Sequence, residues 1–143
     1  MDNKKELFQK FIALTTSVHQ VTYDFTKDIK YDDITPLQYR ILEYMAVSQP
    51  STLSEISLCM HMSMPNTSRE IKKLSEKQLI EKFDAADDKR KQYIQLSKKG
   101  QALMDDAFLH IETLFLERIN TASEEDLEQL SKAIDILQAK VFF

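Results

Sequence analysis

Residues 63–100 read SMPNTSREIKKLSEKQLIEKFDAADDKRKQYIQLSKKG, and their pattern decides the fold. Ser63 is of a type that caps helices. At about 100° per residue, Thr67, Ile71, Leu74 and Gln78, with Met64 beside them, fall on one side of the helix that follows. Pro65, Asn66, Arg69, Lys72, Lys73 and Glu76 fall on the other. The first set predicts a core face and the second a basic outer face. Residues 79–83 and 92–96 are β-compatible, with Ile94 and Leu96 on one strand face. The charged loop 84–91 between them, tipped by Asp88-Lys89-Arg90-Lys91, lacks an Asn-Gly type turn, so a longer hairpin is expected. Helix, strand, wing and return strand outline a winged helix-turn-helix.

Upstream, Thr35-Pro36 opens a helix whose buried face is Leu37, Ile41, Leu42 and Met45, and Gln49-Pro50 closes it. Thr52-Leu53-Ser54-Glu55 has capping-box spacing and starts a short helix with Leu53, Ile56 and Met60 inward. A turn through His61 and Met62 then leads to Ser63. These pieces supply the first helix and the turn of the helix-turn-helix.

The flanks are helical and apolar. Leu7, Phe11, Leu14, Val18, Val21 and Phe25 recur in steps of four and three, a seam of coiled-coil type widened by Phe8, Ile12 and Ile29. Ser97 is expected to cap a long helix over 98–120 with a band of Leu103, Ala107, Phe108, Ile111, Leu114, Phe115 and Ile119. Ser123 and three acids open a last helix with a seam of Leu127, Leu130, Ile134 and Leu137. The ending Val141-Phe142-Phe143 is expected to be docked. Packing within one chain is the plainer use of such seams, but their breadth points to a second subunit.

Bulk properties agree with this outline. With 143 residues, 43% of them hydrophobic and 29% charged, the chain is long enough for one domain with a real core. One Gly and three Pro predict long helices. The lone Cys59 cannot form an internal disulfide, and no apolar run is long enough for a membrane span or a signal core, so a cytoplasmic location is expected. Net charge is −4, yet residues 63–101 hold ten Lys and Arg against six Asp and Glu. A basic module on an acidic frame is the footprint expected of a nucleic-acid binder.

In that reading the helix from Ser63 enters the major groove, where Asn66 and Arg69 meet base edges and Lys72 and Lys73 meet phosphates. Ser63, Pro65 and the first-turn amides lie against the backbone. Arg90, flanked by Lys89 and Lys91, reaches the minor groove, held by an ion pair with Asp88. Lys77, Lys82 and Lys98 are read as a solvated face. The rival reading is a helical dimer acting through protein contacts only, its basic face merely hydrated.

The stretches ISLCMHMSMPNTSREIKKLSEKQL over 56–79 and DDKRKQYIQLSKKG over 87–100 resemble the MarR (multiple antibiotic resistance regulator) family. Asp88-Lys89-Arg90 matches the family's Asp-x-Arg wing, and Leu96-Ser97-Lys98-Lys99-Gly100 its Leu-Thr/Ser-x-x-Gly start of the long dimer helix. The resemblance implies a mainly α fold with a small β-hairpin wing. It makes 1–143 one domain, with a winged module at 31–97 and dimerisation helices at 1–30 and 98–143. It further implies a homodimer on double-stranded DNA at a palindromic operator, most often as a repressor relieved by a small-molecule effector. A ligand pocket between frame and module is implied too, with His19, Tyr23 and Tyr39 as candidates. The family usually has Gly where His61 and Gln78 stand, so left-handed backbone with strain of about 1 kcal/mol is expected at each.

No cofactor or metal site is expected, because His19, His61 and His110 have no ligand spacing. Cys59 is read as a buried or structural thiol. Gly-rich phosphate loops, nucleophile elbows and clustered His and carboxylates are missing, so no enzyme is expected.

Overall fold

In the computed structural model, residues 2–143 are described. Six helices and one hairpin follow in the order α1 (Asn3–Thr26), α2 (Pro36–Ser48), α3 (Leu53–Met60), α4 (Met64–Glu76), β1 (Ile80–Asp84), β2 (Gln92–Leu96), α5 (Lys98–Arg118) and α6 (Glu124–Lys140).

Local cap chemistry sets the helix starts. The Thr35 hydroxyl accepts from Gln38 N at 3.1 Å while Gln38 Oε1 accepts from Thr35 N at 3.2 Å, a complete capping box. Thr52 accepts from Glu55 N, Ser63 from Asn66 N, Ser97 from Gly100 N and Ser123 from Asp126 N. His61 ends α3 at φ 54° and Gln78 follows α4 at φ 62°, so both occupy the left-handed region expected of them.

The core joins Ile41, Leu42 and Met45 of α2, Ile56 of α3 and Ile71 and Leu74 of α4 to Ile80, Ile94 and Leu96 of the hairpin. Met104 and Ala107 of α5 close it from behind. The antiparallel hairpin pairs Ile80 with Leu96 and Phe83 with Tyr93, which sets Ile94 and Leu96 inward together. Ser51 adds a third rung, its N–H donating to Ile94 O at 3.0 Å and its carbonyl accepting from Ile94 N at 2.8 Å.

Behind β2, the start of α5 crosses Leu79. The Leu79 carbonyl accepts from Ser97 N at 3.0 Å, and a Cβ at Gly100 would lie 2.0 Å from that same oxygen. Only glycine fits there.

Several expectations need correction. The first strand starts one residue later than expected and α5 ends at Arg118. Gln78 is not on the core face, because α4 stops at Glu76 and the left-handed turn throws its side chain outward, leaving it exposed. Met64 is 46% exposed, its sulfur accepting from Ser57 Oγ. Cys59 is exposed rather than buried. Leu53, Ile56, Ser57 and Met60 define the inner face of α3, and at about 100° per residue Cys59 lies well off its centre.

Within one chain the terminal helices leave their apolar faces open. Neither α1 nor α6 has a buried residue. Leu7, Val18, Leu130 and Ile134 are each about half exposed or more. At the C-terminus, Phe142 meets the Phe11 ring at 5.8 Å, whereas Phe143 is 97% exposed. The end is therefore docked through the Phe142 ring, while Phe143 stays in solvent.

Candidate nucleic-acid interface

The interface is built outward from α4. Thr67, Ile71 and Leu74 are buried, which turns Pro65, Asn66, Arg69, Lys72 and Glu76 to solvent. At the helix start, Pro65 has no N–H and the Asn66 N–H already donates to Ser63 Oγ at 3.2 Å. The donors left for an external anion are the Met64 N–H and the Ser63 hydroxyl. This is narrower than the open first turn that the sequence offers.

The bases on α4 differ in state. Arg69 and Lys72 are exposed and belong to no ion pair among the described residues. Lys73 lies 3.4 Å from Glu70 Oε1, a pairing that a competing phosphate can replace at small cost because Lys73 is mostly exposed. Lys77 is not simply solvated. It donates to the Asp33 carbonyl and, at 2.8 Å, to Gln38 Oε1, tying the end of α4 to the start of α2. Lys82 and Lys98 are exposed, as expected.

At the wing the structure brings Asp88 and Arg90 together. Asp88 Oδ1 accepts from Arg90 N at 3.0 Å and from Arg90 Nε at 3.2 Å. The backbone bond, reinforced by the guanidinium, holds the Asp88 carboxyl below its ordinary value. The Arg90 side chain is nevertheless 92% exposed, so it is oriented without being covered.

Lys89 is exposed, whereas Lys91 lies with Nζ 5.5 Å from the Tyr93 ring centroid. Tyr93 in turn stacks on Phe83 at 5.7 Å. This aromatic brace sits at the base of the loop. The Lys91 ammonium is shifted upward, first by its interaction with Tyr93.

His19 and Tyr23 sit exposed on α1 and Tyr39 is half-buried on α2. The Tyr39 hydroxyl has no hydrogen-bond partner among the described residues, and burial followed by the Glu43 carboxylate raises it well above an ordinary tyrosine. None of the three lines the cleft of about 410 Å³ bounded by Ile29 and Tyr31 before α2 and by Asp106, Leu109 and His110 on α5. Tyr31 spans that cleft. Its hydroxyl donates to Asp106 Oδ2 at 2.8 Å, and burial, then this bond, push it up to about 12.

The sequence reading missed Gln38, Tyr31 and Tyr93. Gln38 and Tyr31 act through partners far away in the chain, so only the Phe83 and Tyr93 pair, opposite each other in a hairpin, left a readable signal.

An exposed basic helix set in a helix-turn-helix, followed by a two-stranded wing, defines the class of winged helix-turn-helix DNA-binding proteins. The model of the MarR family matches residues 32–91. The HTH-type transcriptional regulator MhqR of Bacillus subtilis (strain 168) is 23% identical over 124 residues, covering 87% of this chain and 86% of its own. Among solved structures, S. aureus MepR bound to ethidium bromide superposes with a TM-score of 0.64 at 21% identity, over 91% of this chain and 94% of the other. Streptococcus pneumoniae FabT in complex with DNA gives 0.62 at 16% identity, over 96% of each chain. The winged module thus matches the MarR family over residues 32–91, and relatives that cover most of the chain are named as HTH-type transcriptional regulators. The family is one of regulators rather than enzymes.

Proposed function

We propose that the chain is a homodimeric repressor that binds a palindromic operator sequence-specifically, acts in the cytoplasm, and is relieved by a small ligand. The observation that carries this reading is the exposed outer face of α4, with Arg69 and Lys72 free of intramolecular ion pairs among the described residues, on a module whose wing presents an oriented Arg90.

In the complex Asn66 and Arg69 read base edges in the major groove. Lys72 and Lys73 neutralise phosphates, Lys73 by exchanging Glu70 for the backbone. Ser63 and the helix start, beside Pro65, take a further phosphate oxygen. Arg90, aimed by Asp88, enters the minor groove with Lys89 and Lys91 beside it. The open faces of α1 and α6 pair with a second copy and set the two α4 helices about one DNA turn, roughly 34 to 36 Å, apart.

The cleft at Tyr31 supports the ligand part of the proposal. Its volume is within the usual range for small-molecule sites, and Asp28 and Asp106 with the Tyr31 ring suit a cationic aromatic compound. MepR, of the same fold, was solved with such a compound, ethidium.

Fluorescence anisotropy with a duplex enriched by the wild-type protein from a random pool tests the contacts. Arg90→Ala should weaken all duplexes alike, whereas Asn66→Ala and Arg69→Ala should also relax sequence preference, by about 1–3 kcal/mol at the affected base pair. Wild-type binding by all three variants would overturn the assignment.

A further inference from the structure

We propose that Gln38 is a positioning residue for sequence discrimination: through Glu70 and Lys77, its buried amide sets the angle at which α4 presents Asn66 and Arg69. The proposal rests on the DNA-binding reading and deepens it. Gln38 is only 3% exposed, and it meets α4 on the flank beside Asn66, since at about 100° per residue Glu70 and Lys77 fall within about 40° of Asn66. Its Nε2 donates to Glu70 Oε2 at 3.1 Å, and its Oε1 accepts from Lys77 Nζ at 2.8 Å. Glu70 and Lys77 are seven residues apart, about two turns, and so lie on one side of α4. One amide therefore grips that helix at two heights.

The grip has a fixed base. Gln38 Oε1 also accepts from Thr35 N at 3.2 Å within the capping box, and Lys77 reaches the Asp33 carbonyl at the same end of α2. Apolar contacts through Ile71 and Leu74 hold α4 down, but burial is non-directional and tolerates a small roll of the helix. Hydrogen bonds are directional and weaken steeply once misaligned. A roll that moved Asn66 and Arg69 round the axis would break both bonds to Gln38.

The residue type is also specific. The carboxylate of Glu70 needs a donor, while the ammonium of Lys77 needs an acceptor. A glutamine amide supplies both from one neutral group. A carboxylate there would fail toward Glu70, and an apolar side chain would fail toward both.

The test measures binding to a duplex enriched by the wild-type protein from a random pool and to the unselected pool, and takes the ratio of the two affinities. Glu70→Ala removes the acceptor and Glu70→Gln keeps one, while both remove the charge. The expected result is a ratio lowered by about tenfold in Glu70→Ala, with Glu70→Gln within about twofold of wild type. Gln38→Met, where it folds, should behave like Glu70→Ala. A ratio unchanged in Glu70→Ala, or lowered as far in Glu70→Gln, overturns the proposal. Failure of the wild-type protein to enrich any duplex would instead overturn the DNA-binding reading itself, and this proposal with it.

Discussion

Asp88 holds Arg90 twice, through the backbone N–H at 3.0 Å and through Nε at 3.2 Å, while the guanidinium stays in solvent. A long flexible side chain is thereby ordered before it meets its target, which lowers the entropy lost on binding. Asp88→Ala should weaken DNA binding by roughly 3- to 10-fold while Arg90 itself remains present. Equilibrium anisotropy checks this, and an unchanged affinity would show that the pair does not organise the wing.

The same pair makes a statement about pH. The folded Asp88 carboxyl titrates below its ordinary value of 3.8, so its contribution is complete above that value and is lost only as pH falls through the depressed one. Between about pH 5 and pH 8 the Arg90 Nε resonance should therefore stay constant. A titration of that resonance centred in this window would contradict the assignment.

Gly100 should tolerate no side chain. A Cβ 2.0 Å from the Leu79 oxygen meets backbone, which cannot move aside without opening the junction of β2 and α5. Gly100→Ala is expected to cost about 3 kcal/mol in denaturant unfolding. A loss within experimental error would mean that the junction is looser than the hydrogen bond from Ser97 N implies.

His61 and Gln78 lead to the opposite sign. Both sit at positive φ, where a Cβ costs roughly 1–2 kcal/mol, and glycine would remove that strain while adding about 0.5–1 kcal/mol of unfolded-state entropy. Each substitution to glycine should thus raise stability by up to about 1 kcal/mol. Thermal denaturation of the two single variants decides it, and destabilisation by both would refute the strain.

How much of this was legible depended on how local each interaction is. Ser63, Thr52 and Ser97 could be recognised as caps because a cap bonds an N–H only three residues on. Asp88 and Arg90 are two residues apart. The left-handed turns at His61 and Gln78 came from the glycines that the family resemblance places there. Gln38 was invisible as a polar hub, since Glu70 and Lys77 lie 32 and 39 residues away. On α5, a wide apolar band hid Met104, the residue that is fully buried, because periodicity finds a stripe without saying which part of it meets a core.

The exposed seams of α1 and α6 predict the assembly. Leu130 and Ile134 are 48% and 56% exposed in one chain, an arrangement that a second copy would cover. Ile134→Glu should shift the mass measured by light scattering from dimer toward monomer and weaken operator binding with it. An unaltered dimer mass would remove this face from the interface.

The central claim is that the basic face of α4 and the wing bind DNA. It is tested most directly by the affinity of the wild-type protein for an enriched duplex at rising salt. The account predicts that affinity falls steeply between about 50 and 200 mM salt, with a log–log slope proportional to the phosphates neutralised. Binding that is absent, or that does not change with salt, would contradict it.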